Sequence, residues 1–149
     1  MRSHTFLFFS SIAMALASGL SGAAPAPGIS YVEVRHVGST NQGWEDLGPN
    51  DMATRLDHGG AQLRVITVEI GYGKSPMAFL DGVRLPNSAN YSTTTFCSSN
   101  YLIPCRAGQT VMGWVRYWNL DGKQSGRFYY QTTSTNFPNN TLGDGMYIR

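Results

Sequence analysis

The sequence lacks the charge pattern of a protein that binds nucleic acid or an anionic membrane surface. Its 149 residues include 11 lysines and arginines and 9 aspartates and glutamates, giving a formal net charge of +2 with no block of like charge. Proteins that bind phosphate-rich partners concentrate basic residues on one face or in one segment. We therefore expect no nucleic-acid partner.

The sequence also lacks the short motifs of common metal and hydrolase sites. It has three histidines and two cysteines, without the H-E-x-x-H or D-x-D-x-D-G spacing that builds a zinc or calcium site. The G-x-S-x-G motif that presents a nucleophilic serine is absent as well. We predict no metal and no cofactor, and a binding protein more readily than an enzyme.

Helical periodicity is missing from the part of the chain that follows the N-terminal segment. Runs of β-branched and aromatic residues recur at intervals of about 8–12 residues, with Gly, Asn and Pro between them. The clearest run, Gln62–Tyr72, has Ile66 and Val68 on one face and Val65 and Thr67 on the other. This pattern predicts an all-β fold, a single antiparallel β-sandwich, for which an immunoglobulin- or fibronectin-like strand order is one solution.

The N-terminal segment has the pattern of a secretory signal peptide. A basic start at Arg2 precedes the apolar stretch Thr5–Leu20 and small residues ending at Ala23. The stretch is shorter than the roughly 20 apolar residues of a membrane-spanning helix, and its lack of a polar face argues against an amphipathic helix. We predict removal of residues 1–23 and a mature domain, 24–149, without a membrane span. It would be secreted and extracellular, or periplasmic if the producer has an outer membrane.

Both cysteines fall in the predicted mature domain. Cys97 and Cys105 are separated by S-S-N-Y-L-I-P, a spacing that fits neither a C-x-x-C redox motif nor paired zinc ligands. In an exported protein an even number of cysteines indicates disulfides. We predict that these two residues form a structural disulfide around a small loop.

The segment Gln109–Thr133 is predicted to form a β-hairpin. Two aromatic-rich runs flank Asp121-Gly122, a dipeptide that tolerates the positive φ angles of a type I′ turn. With these two residues at the centre of the turn, Arg116 faces Arg127. Because one extra loop residue would exchange the two faces of the hairpin, this register decides which side chains share a surface.

One face of the predicted hairpin is a candidate binding surface for a sugar or a peptide. Aromatic rings can stack on a ligand, and guanidinium groups can bind hydroxyls or carboxylates. The alternative is a structural ladder that satisfies itself or is covered by another strand. The candidate binding residues are Trp114, Arg116, Trp118, Arg127 and Tyr129.

The two histidines of the predicted mature domain have different contexts. His36 shares a predicted strand face with Val32 and Val34, which indicates a partly buried structural residue. His58 lies in an irregular segment beside Asp57, and Glu45 is close in sequence. An imidazole with a carboxylate can act as a general base, so these three residues are the candidates for a small secreted hydrolase. No nucleophile accompanies them in a recognisable motif.

Several motifs resemble those of the YolA-like family of small secreted bacterial proteins of unknown function. They are G-W-V-R-Y-W-N-L-D-G, F-Y-Y-Q-T-T-S-T-N and N-T-L in the C-terminal part, and I-S-Y-V-E-V, D-H-G-G and E-I-G-Y-G before it. The resemblance covers almost all of residues 29–149. It implies export, a bacterial source and one compact domain, and it carries over no catalytic or binding residue.

The function that the sequence favours is non-enzymatic binding at or outside the cell surface. A glycan or cell-wall polymer fits the interleaved aromatic and arginine residues slightly better than a protein ligand does. The alternatives are the hydrolase centred on His58 and a secreted toxin or inhibitor, whose sequence would carry no distinguishing motif.

Overall fold

The computed structural model describes residues 25–149, which form two packed antiparallel sheets. The strands are β1 (Tyr31–Ser39), β2 (Gly43–Asp46), β3 (Arg64–Ile70), β4 (Gly73–Leu80), β5 (Val83–Arg84), β6 (Asn90–Phe96), β7 (Gly113–Asn119), β8 (Gly126–Ser134) and β9 (Thr141–Ile148). A short 3-10 helix, Asn87–Ala89, precedes β6. The predicted all-β sandwich is confirmed, whereas the predicted signal peptide lies outside the described residues.

The order of the strands is that of an immunoglobulin-like sandwich. One sheet has the order β2-β1-β3-β7-β6 and the other has the order β5-β4-β8-β9. Without the short strands β2 and β5, this is the A-B-E-D and C-F-G arrangement of immunoglobulin domains. Three connections, β3–β4, β5–β6 and β7–β8, therefore pass from one sheet to the other.

Alternation along β3 sends one set of side chains between the sheets and the other set outward. Val65 and Thr67 point inward, whereas Ile66 and Val68 belong to an outer cluster, as the sequence predicted. The core between the sheets consists of Val34, Val37, Leu47, Leu63, Val65, Ala78, Leu80, Ala89, Trp118, Leu120, Phe128, Tyr130, Met146 and Ile148. Burial of this apolar surface is the main stabilising contribution to the sandwich.

A second apolar cluster covers part of the outer face of the five-stranded sheet. Its buried members are Ile66, Val68, Phe96 and Val115, with Tyr101 packed against them from the loop that follows β6. The disulfide between Cys97 and Cys105 closes this loop, with the two Cα atoms 5.2 Å apart. The predicted disulfide is confirmed, and it holds the covering loop against the sheet.

Asp81 and Gly82 connect β4 to β5 in a two-residue hairpin. Their φ angles are +51° and +77°, as a type I′ turn requires, and Leu80 pairs directly with Val83. Asp-Gly is a dipeptide typical of this turn type.

Asp121 and Gly122 do not close a hairpin, so the prediction of one over Gln109–Thr133 is wrong. The amide of Lys123 donates to the carbonyl of Leu120 at 3.0 Å, which makes these two residues the centre of a β-turn. Of the two, Gly122 alone has a positive φ, at +83°, so the turn lacks the twist that matches paired strands. Instead, β7 pairs with β3 and β6, while β8 pairs with β4 and β9.

A bulge at Arg35 changes the alternation of β1. The register against β3 shifts between Val34 and His36, so Val34 enters the core while His36 faces outward against Tyr101. The prediction that Val34 and His36 share a face is therefore wrong, because the extra residue of a bulge inverts the alternation beyond it. The side chain of Asp144 stabilises the bulge by accepting the amide of Val34 at 2.7 Å.

Helices contribute little to this part of the chain. Across residues 25–149 no helix has the length and apolar character needed to cross a membrane.

Candidate functional site

Trp114, Arg116 and Trp118 lie between the two sheets. The indole nitrogen of Trp118 donates to the hydroxyl of Thr67 at 2.9 Å, and its ring centroid is 5.5 Å from that of Tyr130. The crossover after β7 brings β8 over this face, where Tyr130 contacts Arg116 and Trp118. Trp114 is partly buried and packs edge-on against Tyr72, with the ring centroids 4.7 Å apart. Arg116 and Trp118 are therefore covered by a strand of the second sheet, as the structural alternative expected.

Arg116 is held in a buried polar network. Its Nη2 donates to Glu69 Oε1 at 2.7 Å and its Nε donates to the hydroxyl of Tyr130 at 3.0 Å. The hydroxyl of Tyr130 donates in turn to Glu69 Oε2, and burial together with the Glu69 charge raises the pKa of this tyrosine. The expected contact of Arg116 with Arg127 does not form, since the two residues lie in different sheets.

Arg127 and Tyr129 lie on the outer face of the four-stranded sheet. Inward positions of β8 are taken by Phe128 and Tyr130, which leaves the alternate residues exposed. The predicted five-residue surface is thus wrong in its geometry, because a sheet separates these two residues from the three on β7. They remain available to a ligand on their own face.

The ring of Tyr129 lies against β9, over two glycines. A Cβ atom on Gly145 would approach Cδ2 of this ring to 2.9 Å, and a Cβ atom on Gly143 would overlap its hydroxyl end. The absence of side chains at both positions therefore lets the ring rest on the backbone of the next strand. Tyr129 is 38% exposed, so part of its side chain faces solvent.

Neighbouring side chains extend this flat ring into a surface that we call the Tyr129 face. Phe79 lies on one side, with its ring centroid 6.3 Å from that of Tyr129. A shallow hollow of about 330 Å³ is lined by Phe79, Gly82, Arg127, Tyr129 and Gln131. Tyr147 on β9 is half exposed, pairs with Arg127 on β8 and continues the surface. The face combines aromatic planes with a guanidinium and an amide.

The structure brings together two of the three candidate catalytic residues and adds a serine. His58 Nε2 lies 3.0 Å from Glu45 Oε2, and His58 Nδ1 lies 3.2 Å from Ser39 Oγ. Glu45 comes from β2, Ser39 from the end of β1, and His58 from the long segment that joins β2 to β3. The order hydroxyl, imidazole, carboxylate is that of a serine hydrolase relay, with the two imidazole nitrogens in exchanged roles. No sequence motif marks Ser39.

This relay is enclosed by the fold. His58 is fully buried, and Ser39 Oγ also accepts the backbone amide of Gln42 at 3.3 Å. The amides of Arg55 and Leu56 donate to the Glu45 carboxylate at 2.8 and 3.0 Å. The same hydrogen bonds tie the segment after β2 to the sandwich, so they have a structural role whatever their chemistry.

The charge of Glu45 is set by the same contacts. Burial by itself raises the pKa of this carboxyl, but the two backbone amides and the imidazole of His58 outweigh burial and hold the pKa below its usual value. Glu45 is therefore ionised at neutral pH and accepts hydrogen bonds on both oxygens.

Asp57 does not join this group. Its carboxylate accepts the amide of Gly59 at 3.0 Å and lines a separate polar hollow beside Gln124 and Arg149. Residues 25–149 also contain no cluster of three or more His, Cys, Asp or Glu side chains able to hold a metal ion.

Fold and surface together define an immunoglobulin-like β-domain with an aromatic outer face and a buried Ser–His–Glu group. A family model described as "Domain of unknown function (DUF4879)" matches residues 24–148, so the chain belongs to this family. No curated protein and no solved structure matched the chain.

Proposed function

We propose that this protein is a secreted, non-enzymatic binding domain that takes a glycan or cell-wall polymer on the Tyr129 face. The predicted signal peptide and the Cys97–Cys105 disulfide support a location outside the reducing cytosol. The resemblance to YolA-like proteins agrees with export from a bacterial cell.

The observation that carries the proposal is the ring of Tyr129, which lies against Gly143 and Gly145 of β9 and is 38% exposed. A sugar ring presents an apolar face of C–H groups that packs well on an aromatic plane, and little entropy is lost if that plane is already fixed. Contact with β9 at Gly143 and Gly145 restricts the motion of the Tyr129 ring.

Polar groups beside the ring supply the directional contacts that a glycan needs. Arg127 and Gln131 flank Tyr129 on β8 and line the same hollow. A guanidinium donates hydrogen bonds, and an amide both donates and accepts them, which suits hydroxyls that do both. A few polar groups around an apolar floor are typical of small-ligand sites.

Retention on insoluble polysaccharide tests the proposal. Wild-type protein should sediment with purified bacterial cell wall or with chitin, and Tyr129→Ala should weaken retention roughly tenfold or more. Phe137→Ala is the matched control, because Phe137 is 93% exposed in the β8–β9 connection, away from the Tyr129 face. If Tyr129→Ala is retained as well as wild type, the Tyr129 face is not the binding site.

Hydrolysis is the second candidate function, and the Ser39–His58–Glu45 relay is the observation that favours it. The test is labelling with a fluorophosphonate, which forms a covalent bond with an activated serine oxygen and releases fluoride. Labelling that disappears in Ser39→Ala would support hydrolysis. Unlabelled wild-type protein would leave the relay with its structural role only.

A further inference from the structure

The outer face of the five-stranded sheet carries a second row of exposed aromatic residues. Trp44 on β2 and Tyr91 on β6 lie at the two edges of the sheet, and Arg64 on β3 lies between them. Both aromatic side chains are more than half exposed, at 54% and 51%. We call this set the Trp44–Tyr91 row.

Trp44 is fixed against the sheet in the same way as Tyr129. A Cβ atom on Gly38, its partner on β1, would lie 2.6–2.9 Å from three atoms of the indole ring, so the ring rests on a position without a side chain. His36 meets the indole edge-on, with the two ring centroids 6.5 Å apart. His36 is itself held by Asp46 at 2.5 Å.

Arg64 is fixed in the middle of the row. Both of its terminal nitrogens bind the carboxylate of Asp121, and Nη1 also donates to the side chain of Asn119 at 2.7 Å. Its guanidinium carbon lies 5.6 Å from the ring centroid of Tyr91. Because Asp121 neutralises Arg64, the row presents hydrogen-bonding groups without a strong net charge.

The size of the row suits a polymer. Its ends are separated by four strand spacings of about 4.8 Å each, or roughly 19 Å. A small hollow of about 190 Å³ beside Trp44 is rimmed by Thr40, Gln62 and Arg64, which offer hydroxyl, amide and guanidinium groups. Flat rings at two ends with neutral polar groups between them fit an extended, uncharged glycan chain.

We propose that the Trp44–Tyr91 row is a second glycan-binding site, specific for neutral polymer, and that the protein cross-links two separate chains. The row and the Tyr129 face lie on opposite outer faces of a sandwich whose sheets pack about 10 Å apart. A polymer chain bound on one face is separated from the other face by the sandwich, so each face binds a separate polymer chain. This inference rests on the proposed function of the Tyr129 face.

Light scattering from mixtures with a soluble neutral polysaccharide, glycol chitin or a mixed-linkage β-glucan, tests the proposal. Wild-type protein should raise the scattering by cross-linking. Trp44→Ala and Tyr129→Ala should each bind polymer more weakly than wild type in calorimetry, through the one remaining site, without raising the scattering. Phe137→Ala should behave as wild type. Gly38→Ala provides a second variant, since its added methyl group displaces the indole while Trp44 is still present.

The outcomes separate the two proposals. Undiminished cross-linking by Trp44→Ala and Gly38→Ala overturns the second site and leaves the Tyr129 face intact. If Tyr129→Ala binds normally while Trp44→Ala does not bind, the Tyr129 face fails and cross-linking through two sites is overturned. Bound polymer without increased scattering from wild-type protein also overturns it.

Discussion

Arg116 and Glu69 form an ion pair of 2.7 Å on neighbouring strands inside the sandwich. Removing one partner of a buried pair leaves the other charge without compensation. We expect Arg116→Met to lower the free energy of unfolding by about 3–5 kcal/mol, measured by urea denaturation. Arg127→Met, which changes an exposed arginine on the next strand along the chain, should stay within about 0.5 kcal/mol. Equal stability of the two variants would contradict a buried role for Arg116.

Substitution of Trp118 should destabilise the fold more than substitution of Trp44, although both are tryptophans on the five-stranded sheet. Trp118 is buried against Phe128 and Tyr130, so Trp118→Ala should cost about 3–5 kcal/mol of stability. Trp44→Ala removes a ring that is half in solvent and should cost about 1 kcal/mol. Thermal unfolding followed by circular dichroism checks both. A stable Trp118→Ala variant would be inconsistent with its place in the core.

Acid should remove a stabilising contribution that depends on Glu45. The pKa of this carboxyl is lower in the folded chain than its ordinary value of 4.5, so its ionised form stabilises the fold above that pH. The contribution is lost as the pH falls through the lowered folded pKa. We expect Glu45→Gln to be less stable than wild type by about 2 kcal/mol near pH 7, since its amide group cannot accept both backbone amides.

The difference in the free energy of unfolding between wild type and Glu45→Gln should become smaller below about pH 4.5. Glu45 becomes protonated over that range in the wild type, whereas glutamine does not titrate. Denaturant unfolding at several pH values between about 7 and 3 measures it. Asp57→Asn is the control, since it changes a carboxylate in the same segment that is outside the buried group. A difference that stays constant with pH would show that Glu45 does not act through its charge.

Loss of the disulfide should loosen the cover over the outer apolar cluster. Replacing Cys97 and Cys105 by serine should lower stability by about 2–3 kcal/mol, the loss expected from freeing so short a loop. Faster amide exchange should appear first at the amide of Cys105, which is bound to the carbonyl of Thr95. Unchanged exchange at this amide would mean that the loop is held by its packing alone.

The sequence predicts those features of the fold that are determined by residues close together in the chain. Alternation marks β3, and Asp81-Gly82 marks a hairpin because the strands on either side belong to one sheet. The same dipeptide at Asp121-Gly122 marks a turn in a crossover, and the choice between the two is made by distant strands that pair with β7 and β8. The bulge at Arg35 is equally invisible locally.

The candidate site also has features that nearby residues indicate and features that depend on strand pairing. Glu45 and His58 could be named from their residue types, whereas Ser39 joins them only because β1 and β2 pair. The contact of the Tyr129 ring with Gly143 and Gly145 depends on the pairing of β8 with β9. In a sequence, glycines indicate turns. That these two glycines make room for an aromatic ring is seen only when the strands are paired.

The crossover between β7 and β8 also constrains how fast the chain can fold. Both strands have a partner nearby in the chain, β6 for β7 and β9 for β8, but β7 must also pair with β3 and β8 with β4, each more than forty positions earlier in the chain. Closing such long loops precedes most of the stabilising contacts, and domains of this kind fold in milliseconds to seconds. Each sheet is therefore complete only after these distant strands have paired, which makes the closure of the sandwich the slow part of folding.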